Sequence, residues 1–391
     1  MLKNKLINTI SSFIYLFSIA QVAKRTVFAE TLEYHSWSFS ELLVSYPGQF
    51  TRRGFIGEMI SIIDQDSILF DTVNKVVFIN FVIFTLLSFT HIKLSNLSPI
   101  QHFLYLVSIF GIFNITLFNQ YYPRKEMFVL NIFMLLLLVI RLKINKFIAY
   151  VFTILGSILM ILIHEGIAMI AIAFIVIIYK KELNVTRKIL RIYSSLVFLT
   201  FSFVIFTAGS DEVANSIWNG LSEFDRSLIP ADSNAIAAIG WSLWDSFMTT
   251  QIVIFSGSMF LWSFYIALLV FTLIIIFKID FKNLDLSFTT IKAFLINEKY
   301  FLVIPILFIV GFDWGRWIFS IFHLCFFSYL IFERDKVNKL LSWSLPILAL
   351  TLVSLLTVMP ECCLEMGGTQ ISSNYYRVLI SIQETIQAIL N

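Results

Sequence analysis

Four short stretches of this sequence carry side chains able to bind or transfer charge, and each is flanked by apolar runs. The first, from Tyr46 to Glu58, reads Tyr-Pro-Gly-Gln-Phe-Thr-Arg-Arg-Gly-Phe-Ile-Gly-Glu. Arg52 and Arg53 present rigid forks of donors that match phosphate oxygens. The glycines let backbone approach a ligand closely, and a helix beginning near Gly54 would add its positive end. The bland alternative is a pair of arginines anchoring a loop to lipid head groups. The second stretch, Tyr121-Tyr-Pro-Arg-Lys-Glu126, sets three ionisable residues after a proline. Arg124 and Lys125 are candidate anion ligands, with Glu126 orienting Arg124 or acting as a base. A helix-starting turn with interfacial tyrosine anchors is the alternative.

The third stretch, His164-Glu165-Gly166, lies between Met160-Ile-Leu-Ile and Ile167-Ala-Met-Ile. A histidine beside a glutamate in such surroundings suits general acid/base work, because desolvation can move either pKa toward neutral. Otherwise it is a hydrogen-bonded turn between two helices. No second histidine stands at zinc-protease spacing. In the fourth, Asp313-Trp-Gly-Arg-Trp317, Asp313 and Arg316 can bind substrate or simply pair across a turn. The tryptophans suit either a membrane interface or stacking on a sugar ring.

The elements that must position these motifs are set by composition. The chain has 391 residues, 58% of them hydrophobic and 14% charged, with a mean hydropathy of +0.86. One soluble core cannot bury so much apolar surface, whereas a bilayer solvates it. The pattern predicts an all-α, polytopic integral membrane helical bundle of about 11 transmembrane helices (10–12) at roughly 20 residues per crossing. The apolar runs lie near 7–23, 75–92, 102–119, 127–140, 147–163, 166–179, 191–208, 252–277, 301–312, 316–332 and 342–358. The first, after Lys3 and Lys5, reads as an uncleaved signal anchor. The 147–179 and 301–332 stretches read as helix pairs turning at polar tips. The whole of 1–391 is one membrane domain with two large outer loops, about 24–74 and 209–250. A C-terminal tail, 360–391, lies outside and ends in an amphipathic stretch.

Loop charge orients the bundle. With the N-terminus cytoplasmic, 18 of the 28 Lys and Arg fall inside, in basic loops after 140, 179 and 332, as the positive-inside rule requires. All four motifs then lie on the outer face, at helix ends where charge is costly and usually functional. The 209–250 loop is acidic, with Asp211, Glu212, Glu223, Asp225, Asp232 and Asp245, and carries Trp218, Trp241 and Trp244. Carboxylates and tryptophans together suit a carbohydrate groove. Cys325, Cys362 and Cys363 form no CxxC pair and no zinc set with the five histidines, so no metal or other cofactor is expected. Nothing in the sequence suggests a nucleic-acid partner.

In length, span number and large outer loop, the chain resembles bacterial polysaccharide-assembly membrane proteins, in particular O-antigen polymerases of the Wzy type. Some of those carry an outer-loop arginine with a glycine eleven positions on. Here that spacing reaches Asp64 from Arg53 and Ala237 from Arg226, so the site arginines are named on their own chemistry. The resemblance implies a multi-pass protein of the bacterial inner membrane with a periplasmic active face. It implies metal-independent transfer of a glycan from undecaprenyl diphosphate onto another lipid-linked repeat unit. Arginines would stabilise the leaving diphosphate, and His164 or Glu165 would deprotonate the acceptor hydroxyl. Partners would be the undecaprenyl-diphosphate-linked oligosaccharide, the lipid bilayer, and a flippase and chain-length regulator of the same pathway. One alternative is a GT-C-like glycosyltransferase using a polyprenyl-phosphate sugar, whose catalytic acid would come from the first outer loop: Glu30, Glu33, Glu41 or Glu58. An alternative of another class is a lipid-linked oligosaccharide flippase or transporter.

Overall fold

A computed structural model of the chain describes residues 2–47, 49–64, 68–95, 97–118, 124–207, 209–231, 234–253, 259–279, 297–311, 313–332 and 345–356. Helix α1 (Leu2–Thr26) leads into a loop that folds two short helices, α2 (Ser36–Leu43) and α3 (Phe55–Ile63), before α4 (Phe70–Leu94). Then come α5 (Pro99–Val107), α6 (Ile112–Phe118), α7 (Glu126–Arg141), α8 (Lys146–Ile163), α9 (Glu165–Glu182) and α10 (Arg187–Phe206). The second long loop folds α11 (Asp211–Gly220), α12 (Glu223–Ser227), a 3-10 turn (Ala237–Gly240) and the start of α13 (Leu243–Val253). The remaining helices are α14 (Met259–Phe277), α15 (Val303–Val310), α16 (Trp314–Phe332) and α17 (Leu345–Leu356). No strand occurs among the described residues.

Helix starts follow local chemistry. Ser98 and Gln101 form a capping box ahead of Pro99 at the start of α5, and Asn145, Thr186 and Ser210 cap α8, α10 and α11. Each satisfies backbone N–H groups that would otherwise be orphaned. Between α5 and α6 the chain breaks at Ser108–Gly111, where a Cβ on Gly111 would lie 2.3 Å from the Tyr105 carbonyl oxygen. Only glycine permits that approach.

Among the described residues, six helical stretches are long and apolar enough to cross a membrane: 4–26, 70–94, 99–117 (α5 with α6), 146–163, 187–206 and 314–332. The other expected runs form helices that are shorter or carry more charge, or lie partly outside the described residues. Helix α7 has 16 residues, and α9 has 18 but carries Glu165 and Lys180–Glu182 at its ends. Helix α15 has only 8, and the 252–277 run belongs to two helices, α13 and α14. The tail 360–391, with Cys362 and Cys363, lies outside the described residues, as do Tyr121, Tyr122 and Pro123.

Helix α9 is buried along nearly its whole length, enclosed by α7, α8, α15 and α16. Large apolar side chains point outward instead on α1 (Phe13, Leu16), α8 (Phe152, Leu155) and α10 (Phe198, Leu199, Phe203). An apolar exterior over a bundle whose polar atoms bond internally is what lipid demands of a protein. The inward polar groups fasten helices. Asn131 donates to the Asn80 side chain at 2.7 Å, Tyr105 donates to Ser88 at 3.3 Å, and His91 Nε2 meets the Met134 carbonyl at 2.9 Å. Such bonds typically hold membrane helices together by a few tenths to about 1 kcal/mol each. Helix α7 runs roughly 22 Å from Glu126 to Arg141 at about 1.5 Å per residue, and charge gathers at both of its ends. At one, Arg141 donates to His91 O, Ser95 Oγ and Leu94 O. At the other lie all four motifs.

Candidate functional site

Two structural devices bring the first motif to the bundle. Gly54 and Gly57 open α3 at close range to the preceding segment: a Cβ on Gly54 would strike the Tyr46 ring at 2.2 Å, and one on Gly57 the Val44 carbonyl at 2.0 Å. These glycines admit the chain's own backbone and ring rather than a ligand. Tyr46 N also donates to Glu58 Oε2 at 2.9 Å. The turn before α3 is thereby closed tightly on the end of α2, and it places Arg52 and Arg53 beside Glu41.

Glu41 is the hub. Its carboxylate, 2% exposed, accepts from Arg316 Nη2 at 2.9 Å through Oε1 and from Arg124 Nε at 3.2 Å through Oε2. Arg316 goes on to Asp313 Oδ2 at 3.1 Å through Nη1, and its Nε pairs with Glu126. So one guanidinium from the first turn of α16 gathers carboxylates from α2, α7 and its own approach. Burial opposes ionisation of Glu41, but Arg316, Arg124, Lys125 and His164 hold its carboxyl well below the usual range. Burial raises the Asp313 carboxyl, against the pull of Arg124 and Arg53.

Arg53 builds the second half. Its Nε donates to both Glu165 oxygens, at 3.0 and 3.1 Å, and its Nη2 lies 2.8 Å from Glu165 Oε1. Arg53 adopts a left-handed φ of 63°, a conformation that costs a non-glycine residue free energy and persists only under outside constraint. The constraint comes from two helices. Lys125 Nζ donates to the Arg53 carbonyl at 2.5 Å, and Glu165 holds the side chain. Lys125 is fully buried, and burial pushes its ammonium down to about 7 although Glu41 pulls the other way.

His164 joins α8 to α9 in extended backbone, φ −161° and ψ 98°. It is 1% exposed, and neither ring nitrogen has a hydrogen-bond partner among the described residues. Burial, reinforced by Arg53, depresses its pKa to about 3. The sequence-based expectation of a pKa drawn toward neutrality is therefore corrected: the imidazole stays neutral, and the Glu165 carboxylate beside it is held by Arg53. A Cβ on Gly166 would sit 3.7 Å from His164 Cε1 and 4.0 Å from Trp317 Nε1, so α9 and α16 meet here.

The structure thus brings Arg53, Arg124, Lys125, Glu126, His164, Glu165, Asp313 and Arg316 into one buried cluster. Four cations face four carboxylates once Glu41 is included, which leaves the cluster close to neutral. Two pairings differ from expectation. Arg124 reaches Glu41 rather than Glu126 two residues on, because neighbouring helix-start residues diverge. Arg52 turns away from the carboxylates: its Nη2 donates to the carbonyls of Ala238 at 3.2 Å and Trp241 at 3.0 Å. With Ala235 N donating to Ser40 Oγ at 3.0 Å, this ties the second loop over α2. Under that roof is a small cavity of about 30 Å³, partly open to the outside, bounded by Trp37, Glu41, Arg52, Arg53 and Ala238; its enclosed part holds water only, and a larger group has to meet it at the open side. Trp37 and Trp241 stand beside it, ring centroids 6.5 Å apart and tilted by 57°.

The acidic loop contributes little else. Asp225 is fully buried and accepts from Leu69 N at 3.0 Å, and Asp245 accepts from Ser242. Asp225 thereby ties this loop to the start of α4, Asp245 closes a turn within its own loop, and Asp232 lies outside the described residues. Among the described residues, no three His, Cys, Asp or Glu side chains converge on a point that a metal ion could occupy. No known protein family, curated protein or solved structure matches this chain.

Proposed function

We propose that this chain is a membrane glycosyltransferase that joins undecaprenyl-diphosphate-linked saccharide repeat units into a surface polysaccharide. In this reading it sits in the bacterial inner membrane with its N-terminus cytoplasmic and the cluster at the periplasmic face, and it works beside a flippase and a chain-length regulator. The single observation that carries the proposal is the gathering of Arg53, Arg124, Lys125 and Arg316, from three chain segments, around the buried carboxylates of Glu41 and Glu165 at one end of an apolar bundle. Buried charge within such a bundle is costly, and it marks a working site more often than a fastening.

Each group has a task under this reading. The lipid tail stays in the bilayer while the diphosphate meets Arg53 and Arg52 at the open side of the cavity. Charge grows on the leaving diphosphate as the glycosidic bond breaks, and fixed guanidiniums stabilise it without reorganising. Glu165, with neutral His164 beside it, takes the proton of the acceptor hydroxyl. Trp37 and Trp241 offer ring faces to a sugar. Arg124, Arg316, Glu126, Asp313 and Glu41 hold the frame.

The test is complementation of a deletion strain, read as ladders of surface polysaccharide. Arg53→Ala and Glu165→Gln should leave a single repeat unit on the lipid core, and full-length ladders from every site variant would overturn the reading. A second reading is favoured by one observation, the central place of Glu41 from the first long loop. A GT-C-like transferase using a polyprenyl-monophosphate sugar would take its catalytic carboxylate from there. Transfer from a radiolabelled polyprenyl-phosphate sugar, lost in Glu41→Gln, would favour it over the polymerase.

A further inference from the structure

Of the four cations in the cluster, one is placed differently. Arg124, Lys125 and Arg316 are at most 5% exposed, whereas a third of the Arg53 side chain is accessible and it borders the cavity. Its guanidinium grips Glu165 by the same forked contact that it would make to two phosphate oxygens. The Glu165 carboxylate therefore occupies the place of a phosphate group. Among the described residues Arg53 is also the only hydrogen-bond partner of that carboxylate. The Arg53 backbone is pinned independently, by Lys125 on its carbonyl. The side chain can thus change partners while its main chain stays in place.

We propose that Arg53 is a hand-over residue: phosphate oxygens of an incoming lipid diphosphate take its guanidinium from Glu165, and the freed carboxylate becomes the proton acceptor of the site. The inference rests on the glycosyltransferase reading and adds a sequence of events to it. Without substrate, Glu165 is neutralised by Arg53 and is a poor base. With the diphosphate bound, Glu165 is a buried carboxylate without its counter-ion, and such a group gains affinity for a proton. The acceptor O–H bond then breaks, its proton passes to a Glu165 oxygen, and the oxygen's electron pair forms the new bond to the anomeric carbon. The old bond from that carbon to the diphosphate breaks, and its pair leaves with the phosphate. Base activation is thereby tied to donor binding, which discourages proton transfer when no leaving group is in place. The charged and titratable groups around Glu165 are His164 beside it, Arg52 and Arg53 from the loop, Lys125 from the start of α7, and Glu41 and Asp313 across the cluster. Of these, Arg53 alone is bonded to it.

The test uses full-length protein in detergent with farnesyl diphosphate as a short-tailed probe. Isothermal titration in two buffers of different ionisation enthalpy counts protons taken up on binding. Wild type should take up a fraction of a proton that grows as the pH is lowered and that Glu165→Gln does not show; near neutrality the freed carboxylate stays mostly ionised, as a base must. Glu165→Gln should bind the probe at least as tightly, since the competitor for Arg53 is gone, and Arg53→Ala should bind it more than tenfold more weakly. Infrared difference spectra of the wild type alone should show a protonated carboxyl band on adding probe at mildly acidic pH that fades toward neutrality, an observation independent of how any variant folds. Equal proton uptake in wild type and Glu165→Gln, or unchanged affinity in Arg53→Ala, would overturn the hand-over while leaving the enzyme reading intact. A wild type that binds no probe would overturn both.

Discussion

Glu41 and Arg316 are 275 residues apart in the chain and meet at 2.9 Å, both buried, with Arg124 closing on the other oxygen of the same carboxylate. The pair joins a short helix of the first loop to the first turn of α16. Because Arg124 starts α7, three separate regions are cross-linked through one side chain. This contact places the loop, and with it Arg52 and Arg53, on the bundle.

Glu41→Gln should therefore be among the most disruptive single changes. It removes the carboxylate charge that the buried Arg316 and Arg124 share, and breaking a buried pair by removing one partner costs about 3–5 kcal/mol. The double variant Glu41→Gln/Arg124→Gln should recover part of that loss, because it removes one of the stranded cations. A coupling of about 1 kcal/mol or more is expected between contacting charges. Thermal unfolding of the detergent-solubilised protein, followed by tryptophan fluorescence, measures both. Strict additivity of the two single variants would show that Glu41 and Arg124 do not share a cluster.

The four motifs were legible in the sequence because charge between apolar runs is expensive and stands out. Their gathering was legible too, from the loop charges that put all four on one face. Glu41 was not. Ser38-Phe-Ser-Glu-Leu-Leu43 looks like any amphipathic loop segment, and Glu41 was one of several first-loop acids. Its role comes only from contacts 83 and 275 residues distant, which no local spacing encodes. The same holds for Arg52 and Arg53, which are adjacent and alike in sequence. The left-handed backbone at Arg53 sends one to Glu165 and leaves the other on loop carbonyls.

Gly57→Ala should fail more severely than its size suggests. The new methyl would lie 2.0 Å from the Val44 carbonyl oxygen and 2.6 Å from its carbon, and backbone cannot rotate aside as a side chain can. Separation of α3 from the end of α2 is required, at about 3 kcal/mol or more. Gly220→Ala is the matched control, since nothing lies within 4 Å of its added carbon. It should leave the Tm unchanged or slightly raised. Equal Tm values for the two variants would count against the tight α2–α3 contact.

Arg52→Ala should loosen the second loop without dismantling the charge cluster. Two charge-assisted hydrogen bonds to the Ala238 and Trp241 carbonyls disappear, a loss of about 1.5–3 kcal/mol each at most, restricted to that segment. Hydrogen–deuterium exchange should rise across 234–241 and stay unchanged in α7 and α9. Exchange that rises equally everywhere would mean that Arg52 supports the whole bundle instead.

Lys125 gives the site a pH dependence whose two faces have opposite sign. Burial brings its ammonium down to about 7, so it loses its charge as pH rises through neutrality. Farnesyl diphosphate binding should weaken between pH 7 and 9, where the probe itself no longer changes charge. Stability should move the other way. In the unfolded chain the lysine keeps its proton until about pH 10.4, so across this range the unfolded state binds more protons than the folded one, and linkage makes folding more favourable as pH rises. Lys125→Arg should flatten both trends, because a guanidinium stays charged throughout. The Tm and the affinity, measured on the same samples, separate this from ordinary alkaline damage, which would lower both together. A wild type and a Lys125→Arg variant with parallel pH profiles in both quantities would remove Lys125 from the site's electrostatics.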